Sequence, residues 1–166
     1  MVNEYSLLPQ QLELSRPGSY LGPQRSSALG WGLGAALGVK LAQPEQTVIC
    51  GVGDGSYIFG APTAAHWVAR AYDLPVLFVI VNNRAWGAVK QAALSVHPDG
   101  WAIGQENFPF TSLDPSPEYA RIVEAHGGYG ERVDDPSEIR PALQRALRAV
   151  RDEKRQALLD VRCRQP

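Results

Sequence analysis

The chain has 166 residues, 45% of them hydrophobic and 20% charged, which is the size of one globular domain and not a disordered composition. Lys and Arg number 16 against 17 Asp and Glu, so the net charge of −1 gives no basic excess for nucleic acid or an anionic membrane. The longest apolar run, Ala28 to Val39, has 12 residues and is too short and Gly-rich to span a bilayer; no basic stretch leads into an apolar core as in a signal peptide.

In chain order, residues 1–25 form an irregular N-terminal segment with no clear hydrophobic period. A helix is expected from about Ala28 to Ala42. Within it Gly30, Gly34 and Gly38 recur every four residues and share one face. Each costs roughly 1 kcal/mol against Ala in a helix interior. Three on one face imply compensation, by tight packing of another element or by a ligand. Thr47–Val52 (TVICGV) and Val76–Val81 (VLFVIV) read as strands covered on both faces. Between them a helix is expected from Pro62 to about Tyr72, with Pro in its first turn.

A further helix is expected over about Trp86–Leu94, then a long loop over residues 95–115, rich in Gly, Pro and Asp. A loop of that length in a compact domain is functional or disordered. A helix over about Pro117–His126, a short strand at Glu131–Val133, a helix over about Pro136–Lys154 and a strand at Leu158–Val161 complete the chain. Asp135 and Glu138 stand at capping-box spacing, and Pro141 is expected to kink the last helix. Strands alternate with helices, which predicts an α/β fold: one domain over residues 1–166, with a mainly parallel sheet flanked by helices in three layers. Cys50 and Cys163 show no C-x-x-C spacing and read as buried core thiols in a reducing, cytoplasmic setting.

The chemistry centres on Gly51-Val52-Gly53-Asp54-Gly55-Ser56, at the carboxyl end of the first strong strand. Ligands gather at that edge of open α/β sheets. The glycines permit close backbone approach and expose N–H groups suited to phosphate oxygens. This is neither the dinucleotide fingerprint, which would need Gly at 56, nor a P-loop, because no Gly-Lys-Ser/Thr follows. Asp54 would repel a phosphate unless a divalent cation bridged the two. Mg²⁺ takes hard oxygen ligands, one or two from protein, with phosphate and water completing the shell. The next strand ends in Asn82-Asn83, whose amide oxygens could reach the same ion. Turn or cap chemistry is the competing reading of these residues.

Gly53-Asp54-Gly55-Ser56, with Asn83 27 positions further on, resembles the thiamine-diphosphate signature that opens with GDG and closes with an Asn pair. Asn3-Glu4, Pro17-Gly18-Ser19-Tyr20, Ala28-Leu29-Gly30-Trp31-Gly32-Leu33-Gly34, Leu74-Pro75 and Trp86-Gly87-Ala88 follow in matching order. Together they resemble the C-terminal, diphosphate-binding domain of the benzoylformate decarboxylase and acetolactate synthase group. The resemblance implies the thiamine-diphosphate-binding fold, with its first strand, ending at Val2-Asn3-Glu4, cut short. That leaves two origins, a small subunit of a split enzyme or a fragment of a longer one, and the shortened strand favours the fragment.

The resemblance also implies roles. Asp54 and Asn83 would bind Mg²⁺ through side-chain oxygens, and Ala85 through its carbonyl. Gly53, Gly55 and Ser56 would cradle the diphosphate, with N–H groups from Gly55 and Ser56 and the Ser56 hydroxyl. Leu29 would wedge under the bent cofactor, and the Ser27 carbonyl would accept a hydrogen bond from its aminopyrimidine. Trp86 would line the pocket. Bound thiamine diphosphate brings the decarboxylation and carboligation chemistry of 2-oxo acids, and the protein supplies geometry and electrostatics.

No catalytic residue is assigned within this chain. The activating Glu is expected from a pyrimidine-binding domain or subunit, and Glu4 is not given that role. The isolated chain is therefore expected to lack turnover and to work in a homo- or hetero-oligomer, without nucleic acid or membrane. The alternative is a truncated, non-catalytic assembly module of the same fold. An unrelated nucleotide-binding domain is disfavoured by the Asp within the glycine loop. His66 reads as a helix-face residue, His97 as a conceivable substrate contact, and His126 as a helix C-terminal residue. Trp67 and Trp101 read as packing residues, and Arg140–Arg155 as a solvated helix face.

Overall fold

The two long apolar runs become neighbouring parallel strands in the computed structural model, which describes residues 11–22, 28–105 and 108–164. β1 (Val48–Gly53) pairs with β2 (Val76–Asn82) from Val48↔Val76 to Gly53↔Val81. β3 (Tyr129–Val133) and β4 (Ala157–Arg162) extend the sheet, whose order among the described residues is β1-β2-β4-β3. All three pairings are parallel. This is the expected α/β architecture.

The period-2 alternation of the strands sorts their side chains between two cores. Phe78 and Ile80 of β2 and Leu158 of β4 face one side, with Leu33 and Leu37 of α1 (Trp31–Ala42), Tyr57 of α2 (Asp54–Phe59), Ala65 and Ala69 of α3 (Pro62–Ala71), and Val123 of α5 (Tyr119–Glu124). Leu77 and Leu159 face the other side, against Ala142, Ala146, Ala149 and Val150 of α6 (Ile139–Arg151). Leu33, Phe78 and Leu158 are fully buried, each worth about 1.5–3 kcal/mol. α4 (Gly87–Val96) buries none of its residues. Among the described residues no helix is long and apolar enough to cross a membrane.

Several expectations need correction. Among the described residues β1 is covered on one face only: Ile49 is 54% exposed, because β1 is the outer described strand and α6 packs over the strands beyond it. α1 starts at Trp31, not Ala28, because Gly30 adopts φ +86 and cannot continue a right-handed helix. α2 was not expected at all. The Asp135 carboxylate accepts the Ser137 N–H at 2.8 Å and opens a short 3-10 turn, Pro136–Glu138, so no capping box with Glu138 forms. Pro141 does not interrupt α6. It lies in the first turn, where its missing N–H has no intrahelical acceptor to lose. Cys50 is buried, but Cys163 lies past β4 and is only half-buried. Trp67 and Trp101 are 60% and 78% exposed, so neither is a packing residue here.

Other expectations match. Pro62 opens α3. Of the segment expected to be irregular, Gln11 is helical, and residues 12–22 contain turns and bends but neither helix nor strand. The arginines of α6 point away from its buried alanine face. The expectations for the first strand, for Glu4 and for Ser27 lie outside the described residues.

Candidate functional site

β1 and β2 end side by side, and each turns at once into the segment that carries a polar residue. Gly53 is extended (φ −75, ψ 157), and Asp54 begins α2 directly. The Asp54 side chain is buried at 2% exposure. Its Oδ1 accepts the Gly55 N–H at 2.9 Å. Its Oδ2 is buried with no hydrogen-bond partner among the described residues. Burial pushes the Asp54 pKa upward, and amides of Gly55, then Arg84 and Ala85, act on the carboxylate in the opposite direction. β1 and β2 pair up to their ends, Gly53 opposite Val81, so the Asp54 carboxylate and the Asn83–Ala85 turn lie at one edge of the sheet.

That turn is tightly built. Asn83 Oδ1 accepts the Ala85 N–H at 3.1 Å, and Arg84 between them has φ +59. The long loop returns to hold it from outside. Trp86 N–H donates to the Thr111 carbonyl and Leu113 N–H to the Arg84 carbonyl, each at 2.8 Å, and Ala85 bridges Ser112. This gives residues 111–113 of the expected loop a structural task next to the site; the start of that expected loop, Ser95 and Val96, belongs instead to α4, and Trp101–Gly104 form a 3-10 turn.

The remaining expected residues are distributed around this point. Ser56 Oγ accepts the Gly30 N–H at 3.1 Å, which ties the glycine loop to the entry of α1. Its own O–H proton stays available to donate. Leu29, next to Gly30, is 41% exposed and is not core. Trp86 lies on Gly55: a Cβ there would be 2.6 Å from Trp86 Cε3. His97 is exposed at the end of α4 and is not brought into the site.

Among the described residues no three His, Cys, Asp or Glu side chains cluster as a metal site would require. An ion here would instead draw on one carboxylate, one amide oxygen and one main-chain carbonyl. That all-oxygen set suits Mg²⁺ rather than zinc. The unpartnered, buried Asp54 Oδ2 is the group such an ion would satisfy.

The profile of the family described as thiamine pyrophosphate enzyme, C-terminal TPP binding domain, matches residues 4–161. The chain belongs to this family. Its relatives include acetolactate synthase isozyme 3 large subunit of Escherichia coli (strain K12), 34% identical over 139 residues, covering 84% of this chain and 23% of the relative. Benzoylformate decarboxylase of Pseudomonas aeruginosa is 35% identical over 144 residues, covering 86% of this chain and 25% of the relative. A solved structure, the Rhodococcus jostii RHA1 thiamine diphosphate-dependent 4-hydroxybenzoylformate decarboxylase, superposes with a TM-score of 0.68 at 30% identity, covering 83% of this chain and 24% of that one. This TPP-binding domain thus spans about a quarter of the length of each of these proteins.

The domain also contains polar groups that the sequence reading missed. His66 is fully buried, not merely on a helix face. Its Nε2 pairs with the Tyr57 hydroxyl and its Nδ1 with Gln156 Oε1, both at 2.7 Å. Burial lowers the His66 pKa and raises that of Tyr57. Tyr119 packs edge-on against Tyr57 at 5.4 Å, and its buried hydroxyl lacks a hydrogen-bond partner among the described residues. Burial, then the charge of Asp54, pushes the Tyr119 pKa upward. Gln156 is 90 positions from His66, so no local motif could have signalled the pair. His126, expected at the helix C-terminus, lies in the turn just past the helix end at Glu124, with Nδ1 at 2.9 Å from the Ile122 carbonyl.

Proposed function

We propose that this chain binds the diphosphate end of thiamine diphosphate through Mg²⁺, as one part of a 2-oxo acid decarboxylase or carboligase. One observation carries the reading: Asp54 Oδ2 is buried and unpartnered beside the Asn83–Ala85 turn. A buried carboxylate with one oxygen unpartnered is costly, and a divalent cation offsets that cost. Asp54 Oδ2, Asn83 Oδ1 and the Ala85 carbonyl would hold the ion.

Gly53 would let the diphosphate approach the backbone, and the Ser56 hydroxyl would donate to it. The Gly55 N–H already serves Asp54, so Gly55 contributes mainly by lacking a side chain. Exposed Leu29 would bear on the middle of the bent cofactor, and Trp86 would wall the pocket above Gly55. Bound thiamine diphosphate supplies the carbanion chemistry that cleaves or joins 2-oxo acids. This chain's residues bind, orient and exclude water. The proton-promoting Glu would come from a pyrimidine-binding domain or subunit, in a cytoplasmic oligomer.

Calorimetric titration of the 166-residue chain with thiamine diphosphate, with and without Mg²⁺, tests the reading. Binding is expected only with the metal. Metal-independent binding would contradict the bridge. Turnover of a 2-oxo acid by the isolated chain would contradict the need for a partner. Binding that never leads to turnover, even with a pyrimidine-binding domain added, would favour a non-catalytic assembly module.

A further inference from the structure

Asn82, the last residue of β2, is fully buried, yet its side-chain groups and its main-chain carbonyl have partners. Nδ2 donates to Asp160 Oδ1 on β4 at 2.7 Å and to Ser116 Oγ at 3.2 Å. Oδ1 accepts the Arg84 N–H at 3.1 Å. The main-chain carbonyl accepts the Cys163 N–H at 2.8 Å. The Arg84 that it holds has φ +59, a conformation that persists in a non-glycine residue only where its surroundings enforce it.

Asp160 lies in an apolar strand run, Ala157-Leu158-Leu159-Asp160-Val161, and is 1% exposed. Its close hydrogen bond is the one from Asn82, and the Arg162 Nε stands off at 3.7 Å. An apolar residue would fill this position at lower desolvation cost. A carboxylate, however, is an acceptor only. It forces the NH₂ of Asn82 toward itself and therefore the oxygen of Asn82 toward the Arg84 N–H. Were the amide reversed, two donors would face each other at Arg84.

We propose that Asp160 is a positioning residue: through the orientation of Asn82 it fixes the Asn83–Ala85 turn in its metal-binding shape. This rests on the reading of Asn83 and Ala85 as Mg²⁺ ligands. Groups hydrogen-bonded directly to a metal ligand change metal affinity by about 10–100-fold when deleted; Asp160 acts one step further out, through Asn82, so the low end of that range applies.

The test uses the full chain and two readouts. Mg²⁺ is titrated calorimetrically in the presence of thiamine diphosphate. Exchange of the Arg84 amide, relative to amides in the middle of β2, is followed by NMR without metal. Asp160→Ala is expected to weaken Mg²⁺ binding about 10-fold. It is also expected to speed Arg84 exchange roughly fivefold, as loss of one hydrogen bond would. Asp160→Asn keeps an acceptor oxygen and should fall between Asp160→Ala and wild type in both. Asp160→Ala with both readouts unchanged overturns the proposal, as does a loss of melting temperature alone. If Asp160→Ala does not fold, Asp160→Leu, which fills the space with no acceptor, decides: both readouts at wild-type values overturn the proposal. If the wild-type chain binds no Mg²⁺, the metal reading fails separately, and Arg84 exchange alone decides whether Asp160 holds the turn.

Discussion

Gly55 and Trp86 are in contact: a Cβ built on Gly55 would sit 2.6 Å from Trp86 Cε3 and 2.9 Å from Cζ3. The glycine is thus required by an indole from the neighbouring strand's end, independently of any ligand. Trp86 is itself held, by its N–H on the Thr111 carbonyl and by an edge-on contact with Phe59 at 6.5 Å. Gly55→Ala is expected to cost about 1–3 kcal/mol, the range for overpacking. Paired with Trp86→Ala, the loss should be less than the sum of the two single losses. Urea unfolding of the four chains measures this, and strict additivity would mean the two residues do not press on each other.

Asp54→Asn separates stability from binding. The substitution removes a buried charge whose second oxygen has no partner. Without metal the variant should be as stable as the wild type or more so, because burial disfavours the charged form. With metal it should lose Mg²⁺-dependent binding of thiamine diphosphate. Denaturant midpoints at pH 7 and calorimetry check the two halves. Wild-type binding by Asp54→Asn removes Asp54 from the metal reading.

His66 gives a pH dependence of defined sign. Burial lowers its pKa below the ordinary value of 6.5, so the unfolded chain takes up the proton first. Its contribution to stability is complete above about pH 6.5 and is lost as pH falls through the lower folded pKa. His66→Gln retains a hydrogen-bonding side chain between Tyr57 and Gln156 but does not titrate in this range. The fall in unfolding free energy between pH 7.5 and 5.5 should therefore be smaller in His66→Gln. An unchanged pH profile would assign the dependence to other groups.

The sequence carried the site further than the network behind it. Gly53-Asp54-Gly55-Ser56 and Asn83 are local patterns at strand ends, and parallel pairing of β1 with β2 was enough to bring them together. α2 was missed because Gly-Asp-Gly-Ser has turn composition and the helix it opens is only six residues long. Its formation depends on burying Tyr57, a tertiary effect. Asn82–Asp160 and His66–Gln156 span 78 and 90 positions. Each is fixed by the order β1-β2-β4-β3, which no local pattern specifies. One signal was available: Asp160 is a lone carboxylate in an apolar strand, and such a residue needs a buried partner.

The glycine stripe of α1 divides into two physically different parts. At Gly30, φ is +86 and a Cβ would lie 2.6 Å from the Gly60 nitrogen, with backbone atoms that cannot move aside. Gly30→Ala is expected to cost at least about 2 kcal/mol, from left-handed strain and backbone overlap together. At Gly34 and Gly38 a Cβ would meet nothing within 4 Å. These two line an apolar groove with Leu37, Leu41, Ala64 and Val68. In the isolated chain, Gly34→Ala and Gly38→Ala should each stabilise by about 0.5–1 kcal/mol, the entropic cost of a helical glycine. For a chain of this size that is about 1–4 °C in Tm. Thermal unfolding of the three single variants distinguishes the cases. Close packing within the chain explains Gly30 alone. A loss of stability in Gly34→Ala or Gly38→Ala would show that the groove is filled in solution, and that packing there also set the choice of glycine.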